Sequence, residues 1–495
     1  MDYNNHMKNP SLATLGAGLA LGVLFDIFIH VDFIGVAAPL FIVLVIVAHL
    51  ALLAYFKHSI TRQTLFTQAP LLFFSFMIFV RDSPSLILLD IAACAFFFTL
   101  SVLTTAGTDL KSLLPSDYLR FIKLPLRFTK AFFVSLSDLF DSLIRTTNRD
   151  VIKQIIKGVF ITLPVLIVFT MLLASADQVF NKYMTSIMTL NVSDEVIVRT
   201  IEIVIMTILF AGAFSVALTK PAVISSNDKT IPPKISQLEA LILFGSVELL
   251  FALFIILQIA YLFGGQNTIA SQGFTYADYA RRGFFELLVV ACLSFGMTWL
   301  AERYLDRPEK GHSRRFKYLS SILVIETMLI IASSFKRLWL YEEAYGFTNL
   351  RLFSHLFVVM IAVLFAALLY KIIRNQSDGR FTFASLLIAT GFLALLNLIN
   401  PDQLIAQQNL GRLSKTGKID VQYLNGLSDD AVPTLTNALP LSDKATSKQL
   451  AISLLSRLQT DVVSTHKQWQ AYNLSRTAAS VSLKNNENKL LKLAR

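Results

Sequence analysis

Residues 33–56 read FIGVAAPLFIVLVIVAHLALLAYF, an apolar run interrupted by a single histidine and carrying no formal charge. At about 1.5 Å of rise per residue such a helix outreaches a hydrocarbon core of about 30 Å. Lipid offers no partners to backbone amides and carbonyls, so the run reads as a membrane-spanning helix. Working outward, ten similar stretches occur at 11–30, 67–80, 84–104, 158–176, 199–218, 239–263, 284–303, 318–338, 352–372 and 381–400. The expected fold is all-α: a polytopic membrane bundle of eleven transmembrane helices with a small C-terminal helical extramembrane domain. The third stretch is short and is followed by Arg81-Asp82-Ser83-Pro84, so it and the fourth alternatively form a tight hairpin or re-entrant pair.

Composition agrees with this class. The 495 residues are 54% hydrophobic and 16% charged, with 40 Phe, values foreign to a soluble domain of this length. A net charge of +11 raises nucleic acid as a partner, but the basic residues fall between the spans, where they set orientation. The two cysteines, Cys94 and Cys292, each sit inside an apolar stretch, which argues against a disulfide framework or thiolate metal site. The first apolar stretch has no small-residue cleavage pattern and reads as an anchor.

The expected organisation is 1–104, spans one to four; 105–157, a basic amphipathic cytoplasmic segment; 158–400, the remaining spans; and 401–495, the C-terminal helical domain. Basic residues concentrate in alternate loops: Lys57 and Arg62, eight between Lys111 and Lys153, then Lys220, Lys229 and Lys234, then Arg303 to Lys317, then Lys371, Arg374 and Arg380. The positive-inside rule then places the N-terminus in the cytoplasm of an inner (plasma) membrane and the C-terminal segment outside. Between Leu113 and Lys157, aromatic and aliphatic residues interleave with Arg120, Lys123, Arg127 and Lys130, the pattern of a helix lying among anionic headgroups.

Charges within spans carry a cost and mark candidate functional positions. Asp90, Glu248 and Glu326 lie deep in theirs and suit proton or cation coupling, or else glue helices through hydrogen bonds. Asp26 and His30 sit one turn apart at the end of the first span, and Glu202 with Arg199 has the spacing of a local ion pair.

The densest polar sequence falls in loops assigned to the outer side. It comprises Asp177; Thr275-Tyr276-Ala277-Asp278-Tyr279-Ala280-Arg281-Arg282-Gly283-Phe284-Phe285-Glu286; Lys336-Arg337 with Tyr341-Glu342-Glu343-Ala344-Tyr345 and Arg351; and Asn400-Pro401-Asp402. These segments, together with Asn409, Arg412, Asp430-Ala431-Val432-Pro433, Trp469 and Asn473-Leu474-Ser475-Arg476, resemble the bacterial multi-pass membrane family called domain of unknown function 4173, overlapping 4153. Asp278 stands where that family often carries Glu. The resemblance implies a membrane protein and assigns no activity.

The expected outer-face site therefore comprises Asp177, Tyr276, Asp278, Tyr279, Arg281, Arg282, Glu286, Arg337, Tyr341, Glu342, Glu343 and Arg351. Its cations and carboxylates either form an ion-pair network docking the C-terminal domain or, with tyrosine walls, a pocket for an anionic or zwitterionic envelope molecule. Histidines are scattered, and no metal, nucleophile or phosphate-loop signature is present, so no cofactor and no metal is expected. Membrane lipids and an envelope protein or small anionic ligand are the expected partners. The leading class is a membrane-embedded binding, sensing or envelope-assembly protein. Alternatives are a proton-coupled secondary transporter and a transferase on a lipid-linked substrate, with Asp278 or Glu286 as base.

Overall fold

A computed structural model describes residues 10–31, 33–143, 172–187, 194–219, 236–263, 284–304, 314–441, 443–464 and 468–495, and scattered positions between 158 and 170. Among these residues the chain is helical, without strands. Ten helices are long and apolar enough to cross a membrane: α1 (Pro10–Ile29), α2 (Ala37–Tyr55), α3 (Arg62–Val80), α4 (Pro84–Thr105), α8 (Asp194–Thr219), α9 (Gln237–Phe263), α10 (Phe284–Tyr304), α11 (Arg314–Tyr345), α12 (Asn349–Arg374) and α13 (Asp378–Ile399). Shorter helices intervene: α5 (Pro115–Arg120), α6 (Leu124–Leu143) and α7 (Gln178–Ile187). The C-terminal body holds α14 (Pro401–Thr416), α15 (Val421–Asn425), α16 (Val432–Ala438), α17 (Lys444–Ser464) and α18 (Leu474–Ala494). The expected span at 158–176 lies largely outside the described residues.

The third span is longer than hydropathy suggests. The hydroxyl of Thr61 accepts the Thr64 amide (3.1 Å) and starts α3 five residues before the expected edge. Thr64, Thr67 and Gln68 are buried, and the Gln68 amide donates to Ser101 (3.3 Å) on α4. Polar residues facing inward lower the hydropathy without shortening the helix. Both α3 and α4 are thus of spanning length, joined by Arg81-Asp82-Ser83.

The chain divides into two compact units: Met1–Phe76 with Ala93–Thr108 and Tyr118–Val223, and Met77–Ala92 with Asp109–Asp117 and Ile224–Arg495. In the first, α1 and α8 run antiparallel at close range because small residues meet. A Cβ on Gly18 would lie 2.7 Å from the Ala211 amide nitrogen, and one on Gly22 would lie 2.7 Å from the Ile203 carbonyl. Phe41 and Phe214 fill the adjoining core, with Phe25 edge-on to Phe41. The basic amphipathic segment becomes α5 and α6. Phe128 and Phe132 are buried, the Phe128 carbonyl lies against Gly212, and Ser135 donates to Ser215 (2.8 Å), whereas Leu126 and Val134 stay exposed.

The polar end of α1 departs from the expected pairing. Arg199 reaches across to Asp26 (Nη2–Oδ2 2.7 Å, Nε–Oδ1 2.9 Å), and Glu202 takes His30 (2.9 Å). Helical spacing places Arg199 and Glu202 on one face, and each finds a better-desolvated partner on α1. Ligand-type atoms of Asp26, His30 and Glu202 lie within 4.8 Å of one another, yet Arg199 already holds both Asp26 oxygens.

In the second unit α9 and α10 pack on α11, and α11, α12 and α13 follow in sequence, around Phe284, Phe365 and Phe381 on one side and Phe244, Phe316 and Leu323 on the other. One end is locked by buried Lys371, which pairs with Glu302 and with Asp378 (2.7 Å) and lies over the Phe381 ring. At the opposite end, Leu352 of α12 enters the core of the C-terminal body beside Ile405, Leu435, Leu454 and Leu483.

Gly212→Leu must part α6 from α8, because the Phe128 carbonyl occupies the space a Cβ needs. We expect a loss of about 1–3 kcal/mol in thermal unfolding in detergent. Gly16→Ala, whose Cβ meets nothing within 4 Å, should leave the transition unmoved.

Candidate functional site

The turn between α3 and α4 exposes backbone groups that a helical hairpin cannot satisfy by itself. Asp430 supplies the acceptor: one carboxylate oxygen receives the amides of Asp82 (2.8 Å) and Ser83 (3.1 Å), and Arg81 approaches the other at 3.7 Å. The closing carbonyls of α3 are taken by the C-terminal segment. Asn473 donates to Ile78 (3.0 Å) and Arg81 (2.9 Å), and the Ser475 hydroxyl lies 2.9 Å from the Val80 carbonyl and also contacts Asp430. Arg476 donates to Asp82 (2.8 Å), while Arg81 turns back to the Asn397 carbonyl (2.7 Å). Asn473 also caps α18 by accepting the Arg476 amide. Asp402, buried at the start of α14, accepts the Ser428 amide (3.2 Å), and Arg457 pairs with Asp429 (3.2 Å).

The carboxylates here are crowded. Burial pushes the Asp82 carboxyl up to about 6, the charges of Asp429 and Asp430 add to the rise, and only Arg476 opposes it.

A second contact joins the C-terminal body to the α11–α12 turn. Asn409 receives the Phe347 amide (2.9 Å) and returns a bond to its carbonyl (2.8 Å), Arg412 donates to the Glu343 carbonyl (3.2 Å), and the Tyr423 hydroxyl accepts the Asn349 amide (2.6 Å). Gly346 has φ +85°, and a Cβ there would lie 2.8 Å from Asn409, so glycine is required twice over. Thr348 caps α12. Arg351 donates to the Gly346 carbonyl and lies over the Tyr341 ring, 4.2 Å from its centroid. Behind it, buried Glu342 pairs with His355 (3.0 Å) against Phe335.

This turn separates two depressions. A cavity of about 220 Å³ is lined by Phe284, Phe285, Leu338, Tyr341, Thr348, Leu350, Arg351 and Ser354. On the other side, an open polar groove of about 360 Å³ is lined by Asn349, Asp420, Gln422, Tyr423, Gly426 and Leu427.

A family model described as Domain of unknown function (DUF4153) matches residues 68–438. The chain belongs to this family. No curated protein and no solved structure shows a significant match. The DUF4153 match takes in both turns, Asp402 and Asp430, and ends before Asn473–Arg476, the segment that completes the α3–α4 clamp.

Of the expected outer-face residues of this DUF4153 protein, Tyr341 and Arg351 line the cavity, Glu342 is paired within the bundle, and Arg337 is buried. Glu343 is exposed and contributes only its carbonyl to docking, and Glu286 is exposed in the first turn of α10. Asp177 belongs to the first unit, where it accepts the Phe180 amide (2.8 Å) at the head of α7. Tyr276, Asp278, Tyr279, Arg281 and Arg282 lie outside the described residues. Of the intramembrane acids, Asp90 is fully buried and accepts from Asn397 (2.8 Å), a hydrogen bond joining α4 to α13. Glu248 and Glu326 sit on the packed helices α9 and α11, and each has one buried oxygen without a hydrogen-bond partner among the described residues.

The clamp leaves no charged cluster in the sequence, since Asp430 meets the turn mainly through the amides of Asp82 and Ser83, and its ion pairs, Arg81–Asp430 and Asp82–Arg476, join residues far apart along the chain. Pro84 at the first position of α4 was the available signal, because it fixes where the preceding amides must find acceptors.

Asp82 makes docking depend on pH. Its folded-state pKa lies above the ordinary value of 3.8, so the stability it lends in the protonated form is complete below about pH 4 and is lost as pH rises through about 6. The span amounts to about 3 kcal/mol. Amide exchange at Asp82, Ser83 and Ala431, corrected for intrinsic rates, should quicken over that interval, and Asp82→Asn should flatten the profile.

Proposed function

We propose that this DUF4153 protein is a membrane-embedded binding and sensing protein of the cell envelope. Its site is the cavity between the outer ends of α10, α11 and α12, and its ligand is an amphiphile with an anionic or zwitterionic head. The observation that carries this reading is Arg351 on the cavity wall. Its guanidinium is held by the Gly346 carbonyl and the Tyr341 face, so the charge is positioned before a ligand arrives. Phe284, Phe285, Leu338 and Leu350 supply walls for an acyl chain, and Thr348 and Ser354 supply hydroxyls. The same Gly346–Asn349 turn is gripped by Asn409, Arg412 and Tyr423, so an occupant that shifts Arg351 pulls on the C-terminal body.

Loop charge favours an inner-membrane orientation with the N-terminus in the cytoplasm and this end outside. The cation-rich loops of the second unit, around Lys317, Lys371, Arg374 and Arg380, lie at the opposite end of α12 from the turn.

Lipid retained through purification should be measured by mass spectrometry. We expect Arg351→Gln to weaken retention of an anionic lipid about tenfold or more, the loss of one charge-assisted bond, with Arg351→Lys intermediate. Unchanged retention in Arg351→Gln would refute the cavity as the site.

A specific observation favours a second reading. Glu248 and Glu326 bring two carboxylates onto the packed faces of α9 and α11, an arrangement suited to holding and passing a proton in a secondary transporter. Proton-coupled flux in liposomes that vanishes in Glu248→Gln and Glu326→Gln would establish it.

A further inference from the structure

We infer that the C-terminal body does not stand clear of the membrane: its edge from Trp469 to Leu474 is a lipid-contacting anchor seated in the headgroup layer. The inference is independent of any ligand in the cavity and rests on the depth at which this segment is pinned.

Three bonds set that depth. Asn473 donates to the carbonyls of Ile78 and Arg81, and Ser475 reaches that of Val80. These carbonyls belong to the last turn of a candidate span, Arg62–Val80, and to the residue after it. Ile78 lies two residues inside the helix end, about 3 Å along the axis. The headgroup layer on each side of a bilayer is about 5–7 Å deep, so residues bonded to this turn lie within it or at its inner edge. The Tyr472 ring packs against Phe79 of the same turn, with ring centroids 5.9 Å apart.

The outward residues of the segment have the chemistry that this layer selects. Asn473 and Arg476 point inward and are buried, whereas Trp469, Tyr472 and Leu474 are 53%, 49% and 40% exposed. Trp and Tyr, with an apolar ring and a polar tip, are the side chains enriched at both faces of a bilayer. Scattered apolar exposure is ordinary, but three such residues within six positions, level with a helix end, form a surface continuous with a lipid face. One turn further along the neighbouring span, Leu88 is 69% exposed, as a lipid-facing position of α4 requires. The occupant committed to is therefore the bilayer interface.

The chain contains three tryptophans, Trp299, Trp339 and Trp469. In full-length protein carrying Trp299→Phe and Trp339→Phe, reconstituted in nanodiscs of phosphatidylcholine with phosphatidylglycerol, only Trp469 emits. We expect a blue-shifted emission, strong quenching by lipids brominated high on the acyl chain, weaker quenching by deep bromination, and little by aqueous iodide. Free quenching by iodide with none by brominated lipid would overturn the inference, and would point instead to a protein-binding or solvent-facing edge. If that variant fails to fold, a spin label at Trp469→Cys in a Cys94→Ser, Cys292→Ser background reads the same depth. Greater accessibility to oxygen than to a water-soluble nickel chelate supports the anchor, and the reverse refutes it.

Discussion

The Asp430 carboxylate is the interaction on which the second unit turns. Two helices of spanning length joined by three residues leave amides pointing outward at the boundary of the membrane, where an unmet donor has a cost of about 1–3 kcal/mol. Asp430 answers two of them, and Asn473 and Ser475 answer the carbonyls of the same turn. The acceptor and donors lie 347 and 395 residues away along the chain, so these groups of the turn are met by the seated C-terminal body. This accounts for residues 401–495 joining the α9–α13 bundle as one compact unit, although composition separates them from it.

Polar groups inside the bundle follow the same economy by different means. Asp90 takes an amide from Asn397, and Lys371 is shared between Glu302 and Asp378. Glu248 and Glu326 share with Asp90 a buried carboxylate oxygen without a hydrogen-bond partner among the described residues. In an apolar surrounding an ionised carboxylate needs a cation or donors. Asp90 takes the Asn397 amide on its other oxygen, and that bond joins α4 to α13.

The spans were legible because an unbroken apolar run needs no tertiary information, and ten of the eleven expected stretches coincide with helices of crossing length. The early start of α3 was not, since Arg62 to Phe66 look like loop until the Thr61 cap and the burial of Thr64 are known. Arg199 shows the same limit in charge pairing. Sequence spacing displays Glu202 three residues on, but the partner that wins, Asp26, is 173 residues distant. At the candidate site, Tyr341 and Arg351 were legible as an aromatic and a cation in a polar loop. Asp430 and Asn473 were visible only as parts of a resemblance, because a short side chain that bonds to backbone leaves no charge pattern to read.

The α11–α12 turn joins the wall of the cavity to the C-terminal body. Gly346 is held from both sides: its carbonyl takes Arg351 from the cavity wall, and the space beside its α-carbon is filled by Asn409 of α14. A residue at positive φ packed this tightly has no independent freedom, so a displacement of Arg351 is transmitted to the Phe347–Asn409 bonds or it does not occur. On the proposed reading, binding at the cavity and seating of the C-terminal body would be coupled equilibria, with the coupling equal in both directions by linkage. If the Trp469–Leu474 edge also rests in the headgroup layer, the body is tied to the membrane at one side and to the ligand-bearing turn at the other. On the proposed reading, a force on the lipid surface would reach Arg351 through α14, and the anchor would be part of the sensor.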